Sequence, residues 1–542
     1  MKRFVRLSFC LIVYYLKILV KYFNYSFRIV IVLLFVNGIT GCGPKPSATG
    51  IYLSELFKDK KFKKFDTAAF NDTLRKELRY QRKNLVNYKL LSTFFNEQAK
   101  SDTAWFIALI NNNQLDTLLH FVNKANEHGL SSQLFYPSKI DSLKKRFYQG
   151  KFDSLPQLYT LVAKLQIYTA NALVSYSSKV KYGCVNPSKI YTRYYIPVKR
   201  PTDSILLSLL RSHDWGKILT DIQPKRIEYL ILQKALDSCT NLYLRKKILV
   251  NMERYRWQIP SDSNQYIQVN IPAFSLKMVD SGKTVLTMDV CVGEKRVDDY
   301  AAKKEIYLKS GLIEDKPKNH ETPIMYGLIN NIQLNPKWNI PNSIAQTELL
   351  AKIRANPYYL VRSGIRVYNK QGQAVDPTEI DWDNVNPNNI PYRFKQDPGE
   401  GNALGKFKFN FSNKSSIYLH DTPNKSAFMK QNRAVSHGCI RVADPLNLAQ
   451  HLVKNARMFD DIRMETGYPP IDTLRMKRFL EKQEMQSANG RQTRWMILNN
   501  KWPLYIDYYT CVPLDNGALK LYEDVYEYDE ILLDSLKRFL KK

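Results

Sequence analysis

The chain has 542 residues, 44% of them hydrophobic and 24% charged, and it carries a formal net charge of +31. Those proportions describe a folded, mostly soluble protein of about two to four domains, and no Gly/Ser repeat, heptad run or solenoid period redirects that reading. The positive excess suits polyanionic neighbours such as anionic lipid or wall polymer, whereas the lack of a nucleic-acid-binding motif leaves no nucleic acid among the expected partners.

Lys2, Arg3, Arg6, Lys17, Lys21 and Arg28 fall in the first 41 residues, which hold no acid. They precede an apolar run, Ile29 to Val36, too short to span a bilayer but of signal-peptide length. A second apolar stretch, Leu11–Val20, lies upstream. The run leads into Ile39-Thr40-Gly41-Cys42, which resembles the lipobox of bacterial lipoproteins. That resemblance implies lipidation of Cys42, a tether over residues 43–50, and an exported, periplasmic protein anchored in the inner or outer membrane. An ordinary thiol behind an uncleaved anchor is the alternative. Seven cysteines without CxxC or regular spacing indicate neither a disulfide frame nor a zinc ribbon.

Residues 51–249 read as helical. Leu115, Leu118, Leu119 and Val122 share one helix face, as do Leu158, Leu161, Val162 and Leu165. Ile227 to Leu236 forms a further helix, and breaks fall at Pro187 and Pro201. The isolated His120, His128 and His213 are read as surface or core histidines.

Near residue 263 the pattern changes. Ile267, Val269 and Ile271 alternate with polar residues, and Asp280-Ser281-Gly282-Lys283 is a turn before a second alternating run, Thr284–Val292. Phe407, Phe409 and Phe411 mark another strand, Pro503–Pro513 is aromatic and β-branched, and Gln373–Gly405 reads as loop or inserted subdomain. The chain is therefore expected to be an α+β multidomain protein. An anchor (1–42) and tether precede an all-α scaffold domain (51–249), then a mainly β, sandwich-like catalytic domain (250–530) and a C-terminal helix end (531–542).

One stretch concentrates reactive groups. Ser436-His437-Gly438-Cys439-Ile440-Arg441 places a thiol after a glycine and beside Arg433 and Arg441, and His420 lies nineteen residues upstream. A nearby cation or imidazole lowers a thiol's pKa, and an imidazole can take and return its proton. Glycine lets main-chain N–H groups approach an oxyanion, and an arginine fork suits a substrate carboxylate. Zinc on Cys439, His437 and His420 would lack an evident fourth ligand, so neither metal nor cofactor is expected.

The order His420 … Ser436-His437-Gly438-Cys439-Ile440-Arg441 resembles the signature of the L,D-transpeptidase catalytic domain. Asn251 to Trp257, Val269 to Phe274, Asn335 to Pro341, Pro398 to Gly405 and Tyr418 to Pro423 resemble further segments of that family's large, multi-domain branch, in the same order. The helical half resembles its scaffold domain, and residues 343–390 its capping insertion. The small peptidoglycan-binding module found in that branch is not visible.

The resemblance implies that Cys439 attacks the third residue of a tetrapeptide stem, releases D-Ala and passes the acyl group to another stem as a 3→3 crosslink. His420 is the implied general base and acid. His437, Gly438 and Cys439 would offer main-chain N–H groups to the oxyanion, with Ser436 as support. Arg441, Tyr418 and Trp338 would face the substrate. Peptidoglycan stems are the implied partner, and carbapenem-type β-lactams the covalent inhibitors. An L,D-carboxypeptidase, a protein-to-wall attachment enzyme and a non-catalytic wall-binding lipoprotein are the competing readings.

Overall fold

The computed structural model describes residues 45–99, 104–257, 264–312, 315–356 and 358–540. Its first half is helical from Ala48 to Arg256. Asp66, Asn87, Thr202, Asp214 and Asn241 each accept a first-turn N–H with their side chain, which starts five of these helices where the sequence supplies short polar residues. The expected stripes lie on Gln114–Asn123 and Leu155–Tyr182, and the expected helix Ile227–Ser238 buries Tyr229, Leu232 and Leu236 while Ile227 and Leu230 stay exposed. Leu155–Tyr182, 28 residues long, is the central helix, apolar enough to be buried on most sides. Phe62, Phe70, Phe94, Phe106, Phe135 and Phe147 pack fully buried in the same core.

The second half is mainly β. After β1 (Tyr194–Tyr195) come β2 (Gln265–Asn270), β3 (Ser275–Asp280), β4 (Lys283–Gly293) and β5 (Ile324–Leu334). A small unit then holds β6 (Trp338–Asn339), β7 (Ile365–Tyr368), β8 (Ala374–Val375) and β9 (Arg393–Gln396). The main sheet resumes with β10 (Phe407–Phe411), β11 (Leu419–His420), β12 (Ala434–Ser436), β13 (Ile440–Val442) and β14 (Arg494–Asp507). The strand order is β1-β5-β10-β11-β13-β4-β3-β2-β14, and β14 also pairs with β5, so the sheet returns on itself around one core. β14 is long enough for this because a shift between Ile497 and Trp502 lets its second half lie between β5 and β2.

The unit from β6 to β9, called the cap below, has a separate apolar core that includes Ile353, Leu360, Val367, Trp382 and Phe394. Its four strands pair in the order β6-β9-β7-β8. Asp381, Asn386 and Pro387 shape the turns that made this stretch read as loop.

The helix Leu242–Arg256 locks the halves together. Buried Glu253 accepts N–H groups of Cys184 at 2.6 Å and Val185 at 2.8 Å, and pairs with Arg256 at 2.8 Å. Arg256 in turn donates to the carbonyl of His128, and Arg254 and Lys247 both pair with Asp529 of the C-terminal helix Tyr528–Leu536. The histidine read as isolated is thus a core residue, bonded to the Tyr229 hydroxyl at 2.8 Å.

Candidate active site

Sheet register brings the chemistry together. β11 pairs with β13 so that His420 lies opposite Arg441, and with β10 so that it also lies opposite Lys408. Side chains at paired positions share a face. Lys408, His420 and Arg441 therefore form a row on the face away from the phenylalanine core, where Phe407 and Phe409 are buried. Cys439 sits immediately before β13, fixed by the N–H of Ile440 donating to the carbonyl of Tyr418 at 3.1 Å.

The buried His420 places Nδ1 2.5 Å from the carbonyl oxygen of Asp421. A carbonyl only accepts, so Nδ1 carries the proton and Nε2 is the ring's accepting nitrogen. Burial pushes His420 down to about 3, aided by the charges of Arg441 and Lys408 and opposed by the bond to Asp421. The imidazole is neutral at ordinary pH. Cys439 is half-buried, its Sγ 3.8 Å from the carbonyl of Ser416. Burial pushes its thiol up, and this outweighs hydrogen bonding from Tyr418 and the charges of Lys408 and Arg441. The sequence pointed to a thiol lowered by its basic neighbours. In the folded site desolvation wins, so Cys439 rests as a thiol and His420 as a neutral imidazole.

The turn before Cys439 is held from inside. The Ser436 hydroxyl donates to the carbonyl of Cys439 at 2.6 Å and accepts the N–H of Gly438 at 3.1 Å. That N–H is thus engaged within the turn. Gly438 has φ +117, a conformation that side-chain-bearing residues rarely adopt. Its carbonyl accepts the hydroxyl of Thr322 at 2.8 Å, and the same hydroxyl oxygen accepts the N–H of Gly293. A Cβ on Gly293 would meet the carbonyl oxygen of His320 at 1.7 Å, so β4 and the His320 segment can touch only through glycine.

His437 points outward. Its Nε2 lies 2.5 Å from Glu348 of the cap, and its ring packs on His320 with centroids 4.5 Å apart. Tyr418 stacks edge-on against His420 at 5.7 Å, and its hydroxyl is hydrogen-bonded by Trp338 of the cap's first strand. Trp338 also packs against the cap core, so it serves both contact and packing. Of the two arginines beside the thiol in sequence, Arg441 faces the site. Arg433 instead pairs with Asp289 at 2.9 Å and lies over the Phe274 ring. The second cation near Cys439 is Lys408, which sequence reading missed because it comes from another strand. Glu348, from a helical turn, and His320, from the segment before β5, were missed because they are distant in sequence. Cys42 lies outside the described residues, and among the described residues no group of three His, Cys, Asp or Glu side chains could hold a metal ion.

A thiol, a buried imidazole oriented by a main-chain oxygen and a positive-φ glycine turn thus lie on adjoining segments of one sheet. Residues 264–459 match the L,D-transpeptidase catalytic domain family, and residues 89–236 match the scaffold domain family. The chain is also 31% identical over 304 residues to a protein of Haemophilus influenzae provisionally named an L,D-transpeptidase. That alignment covers 55% of this chain and 52% of the relative, so it spans about half the length of each. The chain thus contains a mainly β region that matches the L,D-transpeptidase catalytic domain, preceded by a helical region that matches the scaffold domain.

Proposed function

We propose that the protein forms 3→3 crosslinks between peptidoglycan stem peptides through a thioester on Cys439. The observation that carries this reading is the His420 tautomer: with Nδ1 held on the Asp421 carbonyl, Nε2 is left to accept the thiol proton. Cys439 Sγ attacks the carbonyl carbon of the stem's third residue while its proton passes to His420. His420 returns the proton to the departing amine of D-Ala, and the thioester remains. The side-chain amine of a second stem then attacks, loses a proton to His420 and releases the thiol. Because Gly438 N–H is bonded to Ser436, oxyanion stabilisation in this reading rests on the N–H groups of Cys439 and His437. Arg441, whose Nε is buried without a partner among the described residues, is assigned to a substrate carboxylate.

Lipidation of Cys42 would hold the enzyme at a periplasmic membrane face, and carbapenems would acylate the same thiol. The test is incubation of residues 45–542 with a disaccharide tetrapeptide, with products identified by mass. Dimers lacking one D-Ala are expected. Tripeptide monomers alone would identify a carboxypeptidase, transfer only to an added protein amine would identify an attachment enzyme, and unchanged substrate would overturn the reading.

A further inference from the structure

Lys408 is a cation without an assigned job. It is half-buried on β10, and its Nζ lies 4.0 Å from the centroid of the Tyr418 ring. It is in register with His420 on one side and Gln333 on the other. Among the described residues it has no ion-pair partner, and Asp421, next to its register partner His420, is tied to Lys425 and to the N–H of Lys406. Burial pushes the Lys408 ammonium down, and only ionisation of the Cys439 thiol would oppose this. An ammonium half-removed from water with no counter-charge costs free energy unless something anionic arrives to pair with it.

Arg441 has the same character on the other side of His420, with its Nε buried and unpartnered. The two cations flank the base one strand away on either side, at a strand spacing of about 4.8 Å. Substrate would therefore meet two separate positive groups, with the reacting imidazole between them.

We propose that Lys408 forms a carboxylate-binding subsite of this enzyme, distinct from Arg441, so that the donor stem is recognised through two carboxylates rather than one. The inference rests on the transpeptidase reading above. The ligand chemistry is a substrate carboxylate, which on a tetrapeptide stem comes either from the side chain of the third residue or from the C-terminus of the fourth. Lys408 binds and orients the donor; it transfers no proton. Its distance to the Tyr418 ring keeps the ammonium beside the thiol, where the charge also discriminates against donors whose carboxyl groups are amidated.

The test compares wild type, Lys408→Met and Lys408→Arg on three disaccharide tetrapeptides: all carboxyls free, the third residue's side-chain carboxyl amidated, and the C-terminal carboxyl amidated. Acyl-enzyme formation is followed by mass, giving KM and kcat separately. The pH dependence of Cys439 alkylation by iodoacetamide is measured in parallel. Lys408→Met is expected to raise KM for the free donor on the order of tenfold and to leave kcat within about twofold. It should leave KM unchanged for whichever amidated donor has lost the partner carboxylate, and Lys408→Arg should restore the free donor. An equal KM change on all three donors would overturn the subsite. So would an unchanged KM with a shifted alkylation profile, which would make Lys408 a tuner of the thiol. Failure of wild type to acylate with any donor would remove the transpeptidase reading and the subsite together, whereas acylation with a Lys408-independent KM removes the subsite alone.

Discussion

His437 Nε2 and Glu348 Oε1 meet at 2.5 Å, which joins the cap to the loop that presents Cys439. The cap core is separate from that of the catalytic sheet, so its position depends on contacts such as this one and the Trp338–Tyr418 bond.

Glu348→Ala should loosen the cap without unfolding the protein. A part-exposed pair of this kind is worth about 1 kcal/mol or less, so the melting temperature should hold and cap opening should rise by about fivefold at most. More water would reach the thioester, and tripeptide should increase relative to crosslinked dimer. An unchanged product ratio by mass analysis would show that the cap is not a water gate.

The thiol and imidazole make a prediction about pH. With His420 near 3 and Cys439 above its usual value, neither group changes charge between about pH 5 and pH 7. The kcat/KM profile should therefore show no inflection there, and iodoacetamide alkylation of free enzyme should keep rising past the usual thiol range. An inflection near 6.5 would mean an ordinary, solvated histidine. His420→Gln should lower kcat/KM by about 10²- to 10⁴-fold with the fold intact by circular dichroism.

Asp507 offers a stability prediction. It is buried on β14 with one oxygen accepting from Gln268 and the other unpartnered, and burial pushes it up to about 7 against the pull of Gln268, Lys277, Arg226 and Arg254. The unfolded carboxyl ionises from its usual 3.8, so the folded state binds the extra proton between about pH 4 and pH 7. Stability from this group is therefore lost as pH rises through that window. Asp507→Asn keeps an acceptor for Gln268, and should raise the melting temperature at pH 8 and change it little at pH 4. A fall at pH 8 would refute this.

Glu253→Ala should be severe. It takes the carboxylate from Arg256, which is 1% exposed, and removes the acceptor for Cys184, Val185 and Trp257 N–H groups. Removing one partner of a buried pair costs about 3–5 kcal/mol. Urea unfolding should show the loss, and a change under about 1 kcal/mol would show that the junction is solvated.

Local patterning made much of the fold legible. The Leu115 and Leu158 stripes became buried helix faces, and the alternations at Ile267 and Phe407 became strands. β5 escaped because its burial alternates from Met325 to Asn330 while its residue types do not: the apolar Tyr326 and Leu328 take the more exposed positions and Gly327 a buried one. β1 escaped because two tyrosines in the helical half pair with β5, a contact across 130 residues that no local pattern encodes.

The site divides in the same way. The amino-acid sequence by itself singled out Cys439 and His420 as candidates and supplied the glycine that lets the loop before Cys439 turn, because these depend on residue type and short spacing. Tertiary structure alone decided which charges surround them. Sheet register brought Lys408 beside His420, pairing with Asp289 drew Arg433 away, and the cap delivered Glu348 to His437. It also decided that the thiol rests protonated, since the cost of desolvating a charge depends on what the fold packs over it rather than on the neighbours written beside it.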